Sequence, residues 1–93
     1  MIENVLFTRA AEKDLRRLDL AAAQAIVTAL LLYATSETGD VKPLKGFAGL
    51  FRLRVGDYRV IFVIVERRPL ILEVIEVVKR GDAYKKKSRQ RTR

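Results

Sequence analysis

A chain of 93 residues has room for one hydrophobic core, and at 49% apolar residues it has the material to fill one, which excludes a two-domain protein and global disorder. It has no cysteine and no histidine, so disulfides, thiol chemistry, the commonest metal ligand and the commonest general base are all excluded. The net charge of +8 gathers at one end: residues 79–93 carry eight basic side chains against Asp82 alone, while residues 1–78 hold eleven basic and ten acidic ones.

The first predicted element is a strand over residues 2–7, rich in Ile, Val, Leu and Phe. Thr8 is a good N-cap for the helix that follows, and Glu12 lies near the positive end of its dipole. Ala11, Leu15 and Leu18 repeat at four and three residues and make one apolar stripe. Asp19 ends this helix and caps a second one, whose apolar positions Ala23, Ile26, Val27, Leu30, Leu31 and Ala34 predict a broad buried face, with Gly39 as its stop. The short break between them predicts an antiparallel helical hairpin. The uncharged run over 20–36 is short for a membrane span and is interrupted by Gln24, Thr28, Thr35 and Ser36. The N-terminus lacks the basic start and apolar stretch of a signal peptide, so the expectation is a cytoplasmic protein with no membrane partner.

After the stretch GDVKPLKGFAG, read as a loop, the period changes to that of strands over 50–55, 58–66 and 70–78, with a charged, proline-containing loop at 66–69. The order β-α-α-β-β-β predicts an α+β fold: a small antiparallel meander packed on one face by an N-terminal helical hairpin. The domain is expected over 1–84, with a basic tail over 85–93.

Gly56-Asp57 between two apolar strands suits a two-residue type II′ hairpin turn. That turn pairs Val55 with Tyr58 and sets Arg54 directly across from Arg59. Alternation then places Arg52 on the same face and Phe51, Leu53, Val55, Tyr58 and Val60 on the other, against the helices. Like charges opposite each other across a sheet cost a few tenths to about 1 kcal/mol. Two ordinary readings absorb that cost: a solvated sheet face, or pairing with carboxylates such as Glu73 or Glu76. A site for an anion is favoured by three details. All three cations are Arg, whose planar fork matches phosphate oxygens. The hairpin offers only Asp57 as a partner, in the turn, and the last strand delivers Lys79 and Arg80 at its end.

The ordered set KPLKGFAGLFRLRVGDYRVIFVIV, a third strand and then VVKRGDAY resembles the RelE/ParE superfamily of toxins from bacterial and archaeal toxin–antitoxin modules, over nearly the whole chain. The resemblance implies a RelE-like fold. In the RelE branch it implies an mRNA interferase that enters the ribosomal A site and cuts the message by attack of a ribose 2′-hydroxyl on the adjacent phosphate, without metal or other cofactor. Carried over by position, the implied active residues are Arg52 and Arg54 on the strand before the Gly-Asp turn, Arg59 after it, Arg80 beyond the last strand, and Tyr84. Arg59 and Arg80 would neutralise charge on the phosphorane. Tyr84 would stack on a message base or help deliver a proton, or else is a packing residue at the start of the tail. Lys42, Lys45, Lys79, Lys85, Lys86 and Lys87 are expected as phosphate contacts.

One departure bears on mechanism. The RelE pattern carries lysines where Arg52 and Arg54 stand, one of them a candidate general base, and a guanidinium is not deprotonated in proteins. Relatives with a glutamate before the PL pair or a histidine near the end have Lys42 and Lys79 at those places here, so the base stays unassigned. ParE relatives share the fold, poison DNA gyrase and lack the catalytic set, which leaves a gyrase inhibitor as an alternative. A nucleic-acid-binding module without chemistry is a third reading. The RelE branch implies the ribosome and mRNA as partners, and either toxin branch implies a cognate antitoxin, with an acidic segment or one that covers the basic face. Its apolar docking surfaces would be the outer side of the helical hairpin and free strand edges.

Overall fold

The computed structural model describes residues 2–66 and 70–80. Along them run β1 (Ile2–Phe7), α1 (Arg9–Arg16), α2 (Leu20–Ser36), β2 (Asp40–Pro43), β3 (Phe51–Val55), β4 (Tyr58–Val65) and β5 (Leu70–Lys79). Most of the loop expected at 66–69, and the tail with Tyr84, Lys85, Lys86 and Lys87, lie outside the described residues.

Both helix starts form as their caps predict. The Thr8 hydroxyl accepts the Ala11 N–H at 3.1 Å, and an Asp19 carboxylate oxygen accepts that of Ala22 at 2.8 Å. The end of α2 differs from expectation. It stops at Ser36, with Glu37 as a left-handed cap at φ 56°, before Gly39 is reached. The Glu37 N–H closes on the Tyr33 carbonyl at 2.8 Å, and the Thr35 and Ser36 hydroxyls bond back to Leu31 and Leu32 carbonyls. The hydroxyls fold back on carbonyls that already carry helix bonds, and Glu37 itself takes the left-handed position that a glycine would otherwise fill.

The sheet order is β1-β5-β4-β3-β2. β2 to β5 form the expected antiparallel meander, lengthened by one edge strand, and β1 returns beside β5 in parallel, so the sheet is mixed. The helices lie on one face. Ala11, Ile26 and Leu30 pack there against Leu53, Val60, Phe62, Leu72, Val74 and Val77. Only a stripe of α2 at every fourth residue, Ile26, Leu30 and Ala34, is buried; Val27 and Leu31, expected in the core, are 38% and 52% exposed. On the opposite face a smaller cluster of Leu44, Leu50, Ile61, Ile75 and Val78 interrupts an otherwise polar surface.

A β-bulge sets which side chains reach that second face. Ile61 pairs with Glu76 and Phe62 with Val74, so Ile75 is extra and the alternation of β5 changes phase. Leu72 and Val74 before the bulge and Val77 after it all join the helix-side core, whereas Ile75 and Val78 lie opposite. The backbone groups at the bulge are taken up by α1 and its cap. The Thr8 hydroxyl donates to the Ile75 carbonyl at 3.0 Å, and the Asp14 carboxylate accepts the Val77 N–H at 2.9 Å. Asp14→Ala leaves that N–H without its partner, and the expected loss is about 1.5–3 kcal/mol. Asp14→Asn, which keeps an acceptor, loses less. Urea denaturation of the three proteins checks the difference.

Candidate nucleic-acid interface

The turn forms as the sequence predicts. Gly56 takes φ 57° while Asp57 keeps a negative φ, the combination of a type II′ turn. Val55 pairs with Tyr58 and Arg54 with Arg59, and Arg52 faces Ile61, so all three arginines share the face away from the helices. The phase change in β5 brings Val78 opposite Arg59 on this face. Arg80 follows at once, its N–H donating to the Asp57 carbonyl at 2.7 Å. Four guanidinium groups therefore converge on the turn end of one sheet face.

Two kinds of contact hold this cluster together. Arg59 folds back on the turn, its Nη1 donating to the Gly56 and Tyr58 carbonyls at 3.1 and 3.0 Å. Asp40 lies across from Arg54 on β2, with one carboxylate oxygen 3.3 Å from Arg52 Nη1 and the other 3.9 Å from Arg54 Nη1. Arg52 also donates to the Asp40 carbonyl at 3.1 Å. Among the described residues the carboxylate seen to pair with Arg52 and Arg54 is thus Asp40, which sequence reading left in a loop, rather than Glu73. Its signal was the DVKP segment, whose Asp and Lys alternate with Val41 as strand residues do.

One carboxylate does not balance the site. Desolvation first, and then the Arg54, Arg52 and Arg80 charges, push the Arg59 guanidinium below its ordinary pKa, and among the described residues Asp40 alone acts in the other direction. Arg59 remains protonated throughout the working range. A bound anion would relieve this mutual repulsion. Asp40→Asn removes that opposing charge, and because the Asp40 and Arg54 side chains are 43% and 58% exposed, with only Arg52 mostly covered, the stability loss is about 1 kcal/mol. That loss shrinks with added salt, whereas affinity for a single-stranded RNA rises and its salt slope steepens. Thermal melts and binding titrations over a salt series check both.

The other expected contacts divide. Lys42 pairs with Arg52 across β2–β3 and joins the face. Lys45 is exposed on the loop between β2 and β3, at the end of the sheet remote from the turn. Lys79 stands across from Tyr58, a residue packed on the helix-side core, and lines a cleft of about 250 Å³ there with Asp14 and Arg17. Strand alternation sets it on the opposite side from its neighbour Arg80, and the bulge decides which side each takes.

The sequence matches, over residues 5–84, the family of the ParE toxin of type II toxin–antitoxin system, parDE. The chain belongs to this family of type II toxins. Among solved structures it is similar to the archaeal RelE–RelB complex from Pyrococcus horikoshii OT3, at 26% identity over 89% of this chain and 100% of that one, with a TM-score of 0.70. The RelB–RelE antitoxin–toxin complex from Methanococcus jannaschii is similar at 25% identity over 86% and 95% of the two chains, with a TM-score of 0.65. An arginine-to-alanine double mutant of E. coli RelE in the free state shares the fold, at 21% identity, 90% coverage of both chains and a TM-score of 0.71. No curated protein matches the toxin's sequence. No helix among its described residues is long and apolar enough to cross a membrane.

Proposed function

We propose that this toxin is a ribosome-dependent, metal-independent endoribonuclease that cuts mRNA in the ribosomal A site and thereby stops translation. The observation that carries the reading is the convergence of Arg52, Arg54, Arg59 and Arg80 on one sheet face, with Arg59 held below its ordinary pKa by burial and by the other three. In the reaction the ribose 2′-oxygen attacks the adjacent phosphorus and the bond to the 5′-oxygen breaks, leaving a cyclic phosphate and a 5′-hydroxyl. The phosphorane between these states carries an extra negative charge, and preorganised guanidinium groups stabilise it more than the ground state. None of the arginines accepts the 2′ proton, because a guanidinium stays protonated. Lys42, beside Arg52, and groups on the segment after Arg80, Tyr84 among them, are the remaining candidates for proton transfer.

The family match favours a second reading, inhibition of DNA gyrase, in which the same cations contact protein or DNA without chemistry. A translation reaction programmed with a defined message, with 5′ ends mapped by primer extension, separates the two. Cuts within A-site codons that need ribosomes and disappear in an Arg59→Ala, Arg80→Ala double mutant support the nuclease. An intact message together with inhibited gyrase supercoiling supports the ParE-like activity, and neither effect with salt-sensitive RNA binding leaves a binding module.

The RelE chains in the two archaeal complexes are bound by RelB. A cognate antitoxin for this toxin would meet two surfaces of opposite character: the arginine face, which suits acidic side chains, and α2. That helix carries no charged residue and exposes Leu20, Val27, Leu31 and Leu32, which suits an amphipathic partner segment.

A further inference from the structure

The arginine face changes character away from the turn. Along β4, Arg59 gives way to Ile61 and then to Val63, which pairs with Glu73 of β5. Beside that pair lie Leu50 at the start of β3, Ala48 and Gly49 on the loop before it, and Thr8 and Ile75 at the β1 side. Together these residues enclose a cavity of about 400 Å³, within the size range of small-molecule sites. Its walls are mainly apolar. The Thr8 hydroxyl is already committed, donating to the Ile75 carbonyl and accepting the Ala11 N–H. Glu73 is not. It is partly buried, makes no hydrogen bond or ion pair among the described residues, and has the half-exposed Leu6 as its neighbour on β1.

An apolar slot with one uncommitted carboxylate repels phosphate and accepts a flat apolar group that presents N–H donors. An ionised carboxylate is acceptor-only and binds best to two adjacent donors. Among the four bases only guanine offers that pair, through N1–H and the 2-amino group. Adenine and cytosine set a ring acceptor beside their amino group, and uracil flanks its single N–H with two carbonyls, so each would place lone pairs against a Glu73 oxygen. From Arg59 to Val63 is four residues of strand, roughly 13 Å, a span of a few nucleotides, with the buried Ile61, packed with Leu44 and Leu50, between the two. We infer that this cavity is a base-recognition pocket, in which Glu73 selects a guanine a few nucleotides from the phosphate held by the arginines. The inference rests on the proposed reading of this face as an RNA track.

The test uses free nucleosides and the intact toxin, so that neither ribosomes nor cleavage enter. Guanosine, adenosine, cytidine and uridine are titrated while the methyl resonances of Val63 and Ile75 are followed by NMR. Guanosine is expected to shift both, with the other three at least about ten-fold weaker, the size of a good bidentate contact. Glu73→Ala abolishes the preference. Glu73→Gln, which offers one acceptor and one donor, weakens guanosine about ten-fold and moves the preference towards adenosine. Equal shifts from all four nucleosides, no shift from any, or guanosine binding unchanged in Glu73→Ala would overturn the assignment. So would a response to an arginine amide in place of guanosine, which would give the pocket to a protein partner. Because no cleavage is read, failure here leaves the proposed nuclease standing, and an uncut message leaves this result to be judged on its own.

Discussion

On the proposed nuclease reading, Arg59→Ala is expected to lower the rate of message cleavage on programmed ribosomes by about 10²–10³-fold, the usual loss when one fixed donor to a developing negative charge is removed. Arg59 is the member of the cluster set by the turn itself, through its contacts with the Gly56 and Tyr58 carbonyls. A guanidinium has five N–H donors, so those contacts position it and leave others for a phosphate oxygen. With Arg54 directly opposite, the substitution removes a like-charge pair but also the two contacts to turn carbonyls, so stability should change by no more than about 1 kcal/mol. A single-turnover rate measured beside a thermal melt therefore separates lost chemistry from lost structure. Arg59→Lys restores the charge without the fork and should fall between the two. Cleavage at the wild-type rate by Arg59→Ala would take this residue out of the reaction.

The direction of the Arg59 shift also fixes what pH can do. A basic group whose folded-state pKa lies below its unfolded value weakens the fold while it is charged. That penalty begins to fall only as pH rises past the folded value and is gone above the unfolded one. For a guanidinium that window lies far above neutrality, so Arg59 contributes no pH dependence to stability or rate in the working range. Any inflection of the cleavage rate near neutral pH would belong to another group, which makes the pH profile of wild-type toxin a direct search for the unassigned base.

The hairpin was legible because its information is local. Gly56-Asp57 fixes the turn, the turn fixes the register, and period-2 alternation then assigns every side chain from Phe51 to Val60 to a face. The caps at Thr8 and Asp19 are local in the same way. The features that escaped depend on distant partners. β2 is four residues long and ends in proline, so by composition it reads as a loop; it is a strand because β3 offers an edge, and a proline is tolerated there. The parallel return of β1 to β5 joins opposite ends of the chain, and no local pattern encodes it.

The site shows the same division. Arg52, Arg54 and Arg59 could be placed on one face from the sequence, but their carboxylate partner could not, because Asp40 arrives on the unrecognised strand. Lys79 and Arg80 read as one cationic pair at the end of a strand. The bulge, pinned by Thr8 and Asp14 from the far side of the sheet, sends Lys79 to the helix side and sets Arg80 beside the turn. A one-residue slip exchanges the faces of a strand, and the bulge supplies that slip within β5. The catalytic face proposed for this toxin therefore depends on residues of α1 that no active-site pattern would include.

Phe62 stands at the join between these layers, and Phe62→Ala is expected to be the most destabilising single substitution proposed for this toxin. Its side chain is fully buried on the strand opposite the bulge, and its ring centroid lies 5.7 Å from both Tyr33 of α2 and Phe51 of β3. Truncating such a ring removes its burial and leaves a cavity, for a loss of about 3–5 kcal/mol. A domain of this size has only about 5–15 kcal/mol in total. The corresponding fall in Tm is on the order of 15–30 °C, read by circular dichroism. Phe62→Leu keeps most of the volume and should lose less than half as much. A loss below about 1 kcal/mol for Phe62→Ala would mean that α2 is not fastened to the sheet through this ring. The two large predictions also differ in kind, and temperature distinguishes them. Cleavage lost in Phe62→Ala follows the unfolded fraction and returns on moderate cooling, whereas cleavage lost in Arg59→Ala does not.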